Sequence, residues 1–269
     1  MATASVFKPT AATGIPRLAE LVRITAFRAL KVRYRGTALG ILWSFANPLL
    51  LTTVYTLIFG TAFSRYYDGS VARYVLSAFI GLVAVTFFLN STGDALYAVV
   101  NNGLLLNKIA VPPVIFPVAA VASNLFQQLV TTFPIVFLVS IAVTHDPVRV
   151  MLVPVVLLAI VLLVSGFSLA LAALYVFFRD LPHLWNIMGF ILWMTSPLFY
   201  PIQFVPANVR PYYDLNPVGE AITALREVTI QRGPLHLGAI SFALGAGVIA
   251  AVLGAAFFNA TRRDFMDLI

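Results

Sequence analysis

Residues 150–178 read VMLVPVVLLAIVLLVSGFSLALAALYVFF, and no side chain among them carries a charge. The run ends abruptly at Arg179-Asp180. A bilayer's hydrocarbon core is about 30 Å thick and takes about 20 apolar residues as a helix. In lipid the backbone must satisfy its own hydrogen bonds, so such a stretch is helical. Pro154 lies inside it, where a membrane helix tolerates proline and can kink. Outward from this segment, similar runs recur at 40–63, 74–100 and 114–143 before it, and at 184–200 and 237–258 after it. Pro134 sits inside the third of these, another expected kink. Residues 184–200 are the shortest run, bounded by Pro197 and Pro201, and are expected to draw on the following segment to complete a crossing. The expectation is an all-α polytopic membrane protein with six transmembrane helices.

Composition agrees. The 269 residues are 61% hydrophobic and 10% charged. Soluble domains carry about 25% charged residues, and a core of this size cannot hide so much apolar surface from water. The formal charge of +7 therefore raises the question of placement about a membrane before that of nucleic acid, which is not expected as a partner. Lys8, Arg17, Arg23, Arg28, Lys31, Arg33 and Arg35 precede the first run, Lys108 and Arg179 lie in the second and fourth connections, and Arg262 and Arg263 follow the last. The other side holds fewer: Arg65, Arg73, Arg149, Arg210, Arg226 and Arg232. An even number of crossings with this bias puts both termini in the cytoplasm. The first 35 residues do not read as a cleavable signal, because basic residues continue to Arg35 before any apolar run begins.

Residues 17–36 form an amphipathic segment at helical period. Arg17, Glu20, Arg28, Lys31 and Arg35 share one face; Leu18, Leu21, Val22, Thr25 and Ala29 share the other. Such a helix lies in the membrane interface, as an anchor on anionic lipid or as a collar for a cytoplasmic partner. The division expected is a flexible N-terminus at 1–16, the interface helix at 17–36, a membrane domain at 37–262 and a cytoplasmic tail at 263–269. Between the last two runs, residues 201–235 are rich in proline. Asn216-Pro217 marks a helix start, Asn as cap and Pro in the first position, and Glu220 falls in the first turn where the dipole favours it. Val218, Ala221, Ile222 and Leu225 then share a face, so short re-entrant or amphipathic helices are expected on the external side.

Several chemistries are absent. With no cysteine there is no disulfide, thiol catalysis, Cys-ligated zinc or iron–sulfur cluster. The lysines follow Phe7, Leu30 and Asn107, never a glycine, so the chain has no phosphate-binding loop of the Gly-Lys-Ser/Thr kind. His145, His183 and His236 are not at metal-ligand spacing, and no Gly-x-Ser-x-Gly elbow occurs. Asp94 is the acid clearly inside a run; close to the Asn101-Asn102 end, it reads as a satisfied polar group at a membrane boundary rather than an ion-coupling site. Interfacial belts account for Trp43, Tyr66, Tyr67, Tyr74, Trp185 and Tyr200. Aromatic faces also stack on sugar rings, so Trp43, Tyr55, Phe59, Phe87, Phe88, Trp193 and Tyr200 are candidates to line a glycan conduit, with lipid contact and helix packing the plainer account of each.

The stretch Lys31-Val32-Arg33-Tyr34-Arg35-Gly36-Thr37-Ala38-Leu39-Gly40-Ile41-Leu42-Trp43-Ser44-Phe45-Ala46-Asn47-Pro48-Leu49 resembles the start of the ABC-2 type permeases that export polysaccharide, such as O-antigen, capsule, teichoic acid and galactan. Asn107-Lys108, Val111-Pro112-Pro113, Arg179-Asp180, Ser196-Pro197, Tyr200-Pro201 and Asn216-Pro217 resemble later positions of that family, so the likeness covers about residues 17–264. The resemblance implies a permease rather than an enzyme, in the bacterial inner membrane. It implies a second copy of the chain and two copies of a cytoplasmic ABC ATPase subunit, with ATP and magnesium on that subunit and no cofactor or metal here. Its cargo would be a lipid-linked or capped polysaccharide. The parts meeting the ATPase would be Arg33, Tyr34, Arg35, Asn101, Asn102, Leu105, Asn107, Lys108, Arg179 and Asp180. An external gate would include Asn216, Pro217, Glu220 and Arg226. A permease for a drug or lipid, a membrane-embedded transferase acting on lipid-linked sugar and an ion-coupled carrier are the alternatives; the last two require clustered ionisable groups that the sequence does not display.

Overall fold

The computed structural model describes residues 14–106, 111–210, 213, 215–232 and 234–265. Those residues form helices and connecting turns, with no strand among them. Helix α1 spans Ile15–Tyr34, α2 Trp43–Ser64, α3 Val71–Ala98 and the short α4 Gly103–Leu106. Then come α5 Ile115–Thr131, α6 Phe133–Thr144, α7 Pro147–Phe177, α8 Leu181–Thr195, α9 Pro217–Thr229 and α10 Leu237–Thr261.

The boundaries follow from local chemistry. Asp146 caps α7, accepting from the Val148 amide at 2.9 Å, and Pro147 takes the first helical position, where no amide donor is needed. Ser70 caps α3 through the Arg73 amide at 3.3 Å. The expected kink at Pro134 is a break: α5 and α6 meet at Thr132 and bend by 44°, because proline cannot donate to the preceding turn. Pro154 by contrast is absorbed within a continuous α7.

Among the described residues, α2 (with the 3₁₀ turn before it), α3, α7 and α10 are each long and apolar enough to cross a bilayer, and α5 with α6 would make a fifth crossing if the bent pair is one span. The expected span at 184–200 differs. Its helix begins earlier, at Leu181, and stops at Thr195. Ser196 is extended, as the residue before a proline tends to be. Fifteen residues give about 22 Å of helix, short of the hydrocarbon thickness.

Helix α3 is the hub. Two-thirds of its apolar window is buried inside the chain, against 11% for α2 and 22% for α10, so α2 and α10 present the outer apolar faces. Phe87, Phe88, Leu82 and Ile80 of α3 pack with Val153, Val156, Ile160 and Leu163 of α7 and with Ile222, Leu225 and Val228 of α9. A second cluster closes one end, where Val99 and Leu106 meet Phe116 of α5, Ala172 and Val176 of α7, and Phe258 and Phe265 beyond them. Helices α7 and α10 approach at backbone contact: a Cβ on Gly166 would overlap the Ala250 backbone, one on Gly254 would overlap Gly166, and one on Gly247 would lie 2.6 Å from the Ala159 carbonyl oxygen. Small residues permit such approach and maximise dispersion contact where lipid removes the hydrophobic drive between helices.

The amphipathic reading of the first segment needs adjustment. Helix α1 forms, but its buried contacts are Ala26 and Leu30, while Leu18 and Ala29 stay exposed. The inward stripe steps by four residues along the axis, Ala26–Leu30–Tyr34, toward α5, with Phe27 against Phe126 at 5.2 Å between ring centroids.

Candidate functional site

At the end of the bundle where α3, α7 and α10 finish, Arg33 turns inward. Its guanidinium donates to the Asn124 side-chain oxygen at 2.9 Å and pairs with the Asp94 carboxylate. The Asn124 amide donates to the same Asp94 oxygen at 2.7 Å. The Tyr34 hydroxyl donates to Gln127 Oε1 at 2.5 Å. Burial, the largest influence on it, raises the Tyr34 pKa, which keeps the phenol protonated and able to donate. Asp94 thus has partners for one of its carboxylate oxygens, and Arg33 and Tyr34 fasten α1 to α3 and α5 rather than pointing away from the bundle. Helical spacing could not have revealed this, since Arg33 and Asp94 are 61 residues apart.

Because both partners stay about one-third exposed, at 32% and 39%, the pair contributes roughly 1 kcal/mol or less. Asp94→Asn is accordingly expected to loosen α1 without unfolding the bundle. The measurement is limited trypsin cleavage at the α1 arginines in reconstituted vesicles. Cleavage should quicken several-fold, and an unchanged rate would mean that the α1 packing alone holds the helix.

The other residues assigned to the ATPase face divide. Arg35, Asn101, Leu105, Arg179 and Asp180 are exposed, and Asn102 is half-buried and donates to the Ala98 carbonyl at 2.8 Å. The Arg179 guanidinium lies 5.7 Å from the centre of the Tyr175 ring. Asn107 and Lys108 lie outside the described residues. The α4 loop is not loosely hung, since Leu106 is buried in the end cluster with Phe116 and Phe258. The exposed turn is therefore packed directly against the ends of α5, α7 and α10.

The candidate conduit aromatics also separate. Tyr55 and Phe59 stack along α2, and Phe63 continues the column. Tyr55 lies face to face with Phe199, which also contacts Trp193. Tyr200 donates to the Met194 carbonyl at 2.8 Å. Trp43 is 48% exposed. Phe87 and Phe88 are a correction: at 1% exposure each they are core residues of α3, and in this conformation neither ring reaches a surface that could line a passage. Buried aromatics and conduit aromatics are alike in sequence, so only packing tells them apart.

At the opposite end, Asn216 caps α9, accepting from the Val218 and Gly219 amides at 3.0 and 3.2 Å. The apolar face expected there is buried, but so are Ala224, Glu227, Val228 and Thr229, so α9 is embedded on most sides rather than laid on a surface. Arg226 reaches across to the Ser77 carbonyl at 3.0 Å and the Leu198 carbonyl at 3.0 Å, joining α9 to α3 and to the segment after α8. Glu220 sits in the first turn, as its helix start implies. One pair escaped the sequence reading. Arg149, 1% exposed, binds Glu227, 4% exposed, through the carboxylate at 3.3 Å and through the main-chain carbonyl. Arg149 counted in sequence only as one basic residue near a span end. Among the described residues no group of His, Asp and Glu is placed to hold a metal.

The sequence profile of the ABC-2 type transporter family matches residues 20–230. The O-antigen export system permease protein RfbA of Klebsiella pneumoniae is 26% identical over 254 residues, covering 94% of this chain and 96% of that protein. RfbA of Myxococcus xanthus is 27% identical, over 90% of this chain and 92% of that one. The capsule polysaccharide export inner-membrane protein CtrC of Neisseria meningitidis is 24% identical, over 83% and 87%.

Proposed function

Because this chain belongs to the ABC-2 type transporter family, we propose that it is the membrane-spanning subunit of an exporter that carries a lipid-linked or capped polysaccharide out of the cytoplasm across the bacterial inner membrane. The observation that carries this reading is similarity to polysaccharide export permeases along nearly the whole of both chains. The absence of a Gly-Lys-Ser/Thr loop fits a division of labour in which two ATPase subunits bind ATP and magnesium and a second copy of this chain completes the passage.

Six crossings, with both ends cytoplasmic, complete the proposal. In support, the end of α7 lies by the end of α10, with Phe177 and Phe265 6.1 Å apart. Phe199, by contrast, lies beside the start of α3, accepting from the Tyr74 hydroxyl at 3.0 Å. The chain from 178 to 199 therefore runs from one end of the bundle to the other, with α8 as the helical part and residues 196–199 as the remainder. The exposed turn around Asn101 and Leu105, with Asn107, Lys108, Arg35 and the Arg179-Asp180 turn, receives the ATPase stroke. Helix α9, with Asn216, Pro217, Glu220 and Arg226, forms the external gate.

Two experiments test this. Deleting the gene should remove the surface polysaccharide from gels of envelope glycans, and supplying the permease should restore it; an intact glycan profile with altered drug or lipid efflux would favour the drug or lipid permease instead. Replacing Asn107 and Lys108 with alanine together should cut export at least tenfold while leaving membrane insertion and protein level unchanged. Undiminished export would remove the coupling role from that loop.

A further inference from the structure

Beside the Arg33–Asp94 pair the chain opens a pocket of about 290 Å³ between α1, α2, α3 and α5. This is near the lower end of small-molecule pockets. We infer that it is a subsite for a neutral sugar ring of the exported polymer, with Trp43 as the stacking platform and Asn47, Asn90, Asp94 and Gln127 as partners for the hydroxyls. The inference rests on the export reading above and adds to it where, and by which groups, the chain first holds its cargo.

The first reason is solvation. Asn47 in α2 and Asn90 in α3 are both exposed and line the pocket, and among the described residues neither side chain makes a hydrogen bond. Both belong to membrane-crossing helices. A primary amide presents two donors and an acceptor, and leaving these unsatisfied against hydrocarbon is costly. Two such amides from neighbouring spans, on one pocket wall, mark a face turned to water or to a polar ligand rather than to lipid. Gln127 repeats the pattern in part: its Oε1 accepts from Tyr34 and Arg33, whereas its amide nitrogen donates to no described residue. Asp94 spends one carboxylate oxygen on Arg33 and Asn124 and keeps the other.

The second reason is the kind of ligand such walls admit. A lipid tail or apolar drug would need apolar lining, and here, among the described residues, every lining side chain other than Trp43 and Pro48 carries a charge, a hydroxyl or an amide. A phosphate would need excess positive charge, yet among the described residues the one cation in the wall, Arg33, is paired with the one anion, Asp94. What remains is a neutral surface of planar amides and a carboxylate oxygen around an exposed indole. Amides and carboxylates can bridge adjacent hydroxyls, and an indole face packs on the C–H face of a sugar ring.

The natural absence of cysteine allows a direct test. Single variants Asn47→Cys, Asn90→Cys and Leu57→Cys are reconstituted into phospholipid nanodiscs and treated with a sulfonated, water-soluble maleimide. Leu57, on the outer face of α2 and 83% exposed, is the lipid-facing control. Cysteines at 47 and 90 should react at least tenfold faster than at 57. Malto-, manno- or galacto-oligosaccharides of three to six units should slow them at least threefold, and glycerol at equal hydroxyl concentration should not. A second readout leaves the polar wall intact: in Trp185→Phe/Trp193→Phe, the remaining Trp43 emission should shift with the same oligosaccharides. Labelling at 47 and 90 no faster than at 57 would overturn the wet pocket. Fast labelling with no protection and no Trp43 shift from any of the three sugars would overturn the sugar subsite. Failure of the export reading shows separately, as a gene deletion that leaves surface glycan intact while protection and the Trp43 shift persist.

Discussion

Glu227→Ala is expected to destabilise the permease by about 3 kcal/mol, because it leaves the buried Arg149 charge without its buried carboxylate. Arg149 is 1% exposed, and a second acid among the described residues, Asp146, is 3.4 Å away with a side chain 39% exposed. Asp146 and the Glu227 main-chain carbonyl, which Arg149 also binds, keep the loss near the low end of the range for breaking a buried pair. The carboxylate also accepts from the His236 amide at 3.0 Å, so α9 would loosen from the entry to α10 as well. For a chain of this size that loss lowers the melting temperature by roughly 6–12 °C, measurable by fluorescence-detected gel filtration after heating in detergent. Arg149→Met/Glu227→Leu removes both charges and should recover most of the loss, as apolar replacement of buried pairs often does. Equal melting temperatures for the single and double variants would show that the charge is not the cause.

Gly254→Leu should be the more drastic change. A Cβ there already overlaps the backbone of Gly166, and what it meets is main chain rather than the mobile tip of a side chain. No rotamer relieves the overlap, so α7 and α10 must separate along their extensive contact. Overpacking of a core costs about 1–3 kcal/mol where neighbours can shift; against rigid backbone the cost exceeds that and consumes much of a typical stability of about 5–15 kcal/mol. The expected outcome is a protein that enters the membrane but elutes from gel filtration as aggregate. Gly245→Leu on the same helix, where a Cβ meets nothing within 4 Å, should behave as the parent. If Gly254→Leu remained monodisperse with a parental melting temperature, the close approach of these helices would not be required.

The contrast between these two glycines shows how far a linear reading reaches. Gly245 and Gly254 are equivalent as letters, and both stand in the same apolar run. Only the path of α7 past α10 makes one of them a contact and the other a vacancy. The same holds for Phe87 and Tyr55: each is an aromatic deep in a span, yet the first is sealed in the core and the second stacks on Phe199. The α9 start was legible because Asn216 and Pro217 act on their own next residues. The limits of α8 were not, because the helix stops at Thr195, ahead of Pro197, while the apolar run goes on, and hydropathy does not distinguish the two.

Chain chemistry alone therefore establishes the solvent, the helical class, the positions of the long apolar runs and the absence of a nucleotide loop. Each depends on the transfer of a side chain into lipid or on a hydrogen bond a few residues away. Packing establishes that Arg33 meets Asp94 and Asn124, 61 and 91 residues further on, that Arg149 is buried against Glu227, and that Asn47 and Asn90 share one wall. Those pairings depend on which helices become neighbours, a choice made by the summed contacts of whole faces, and no local pattern encodes it.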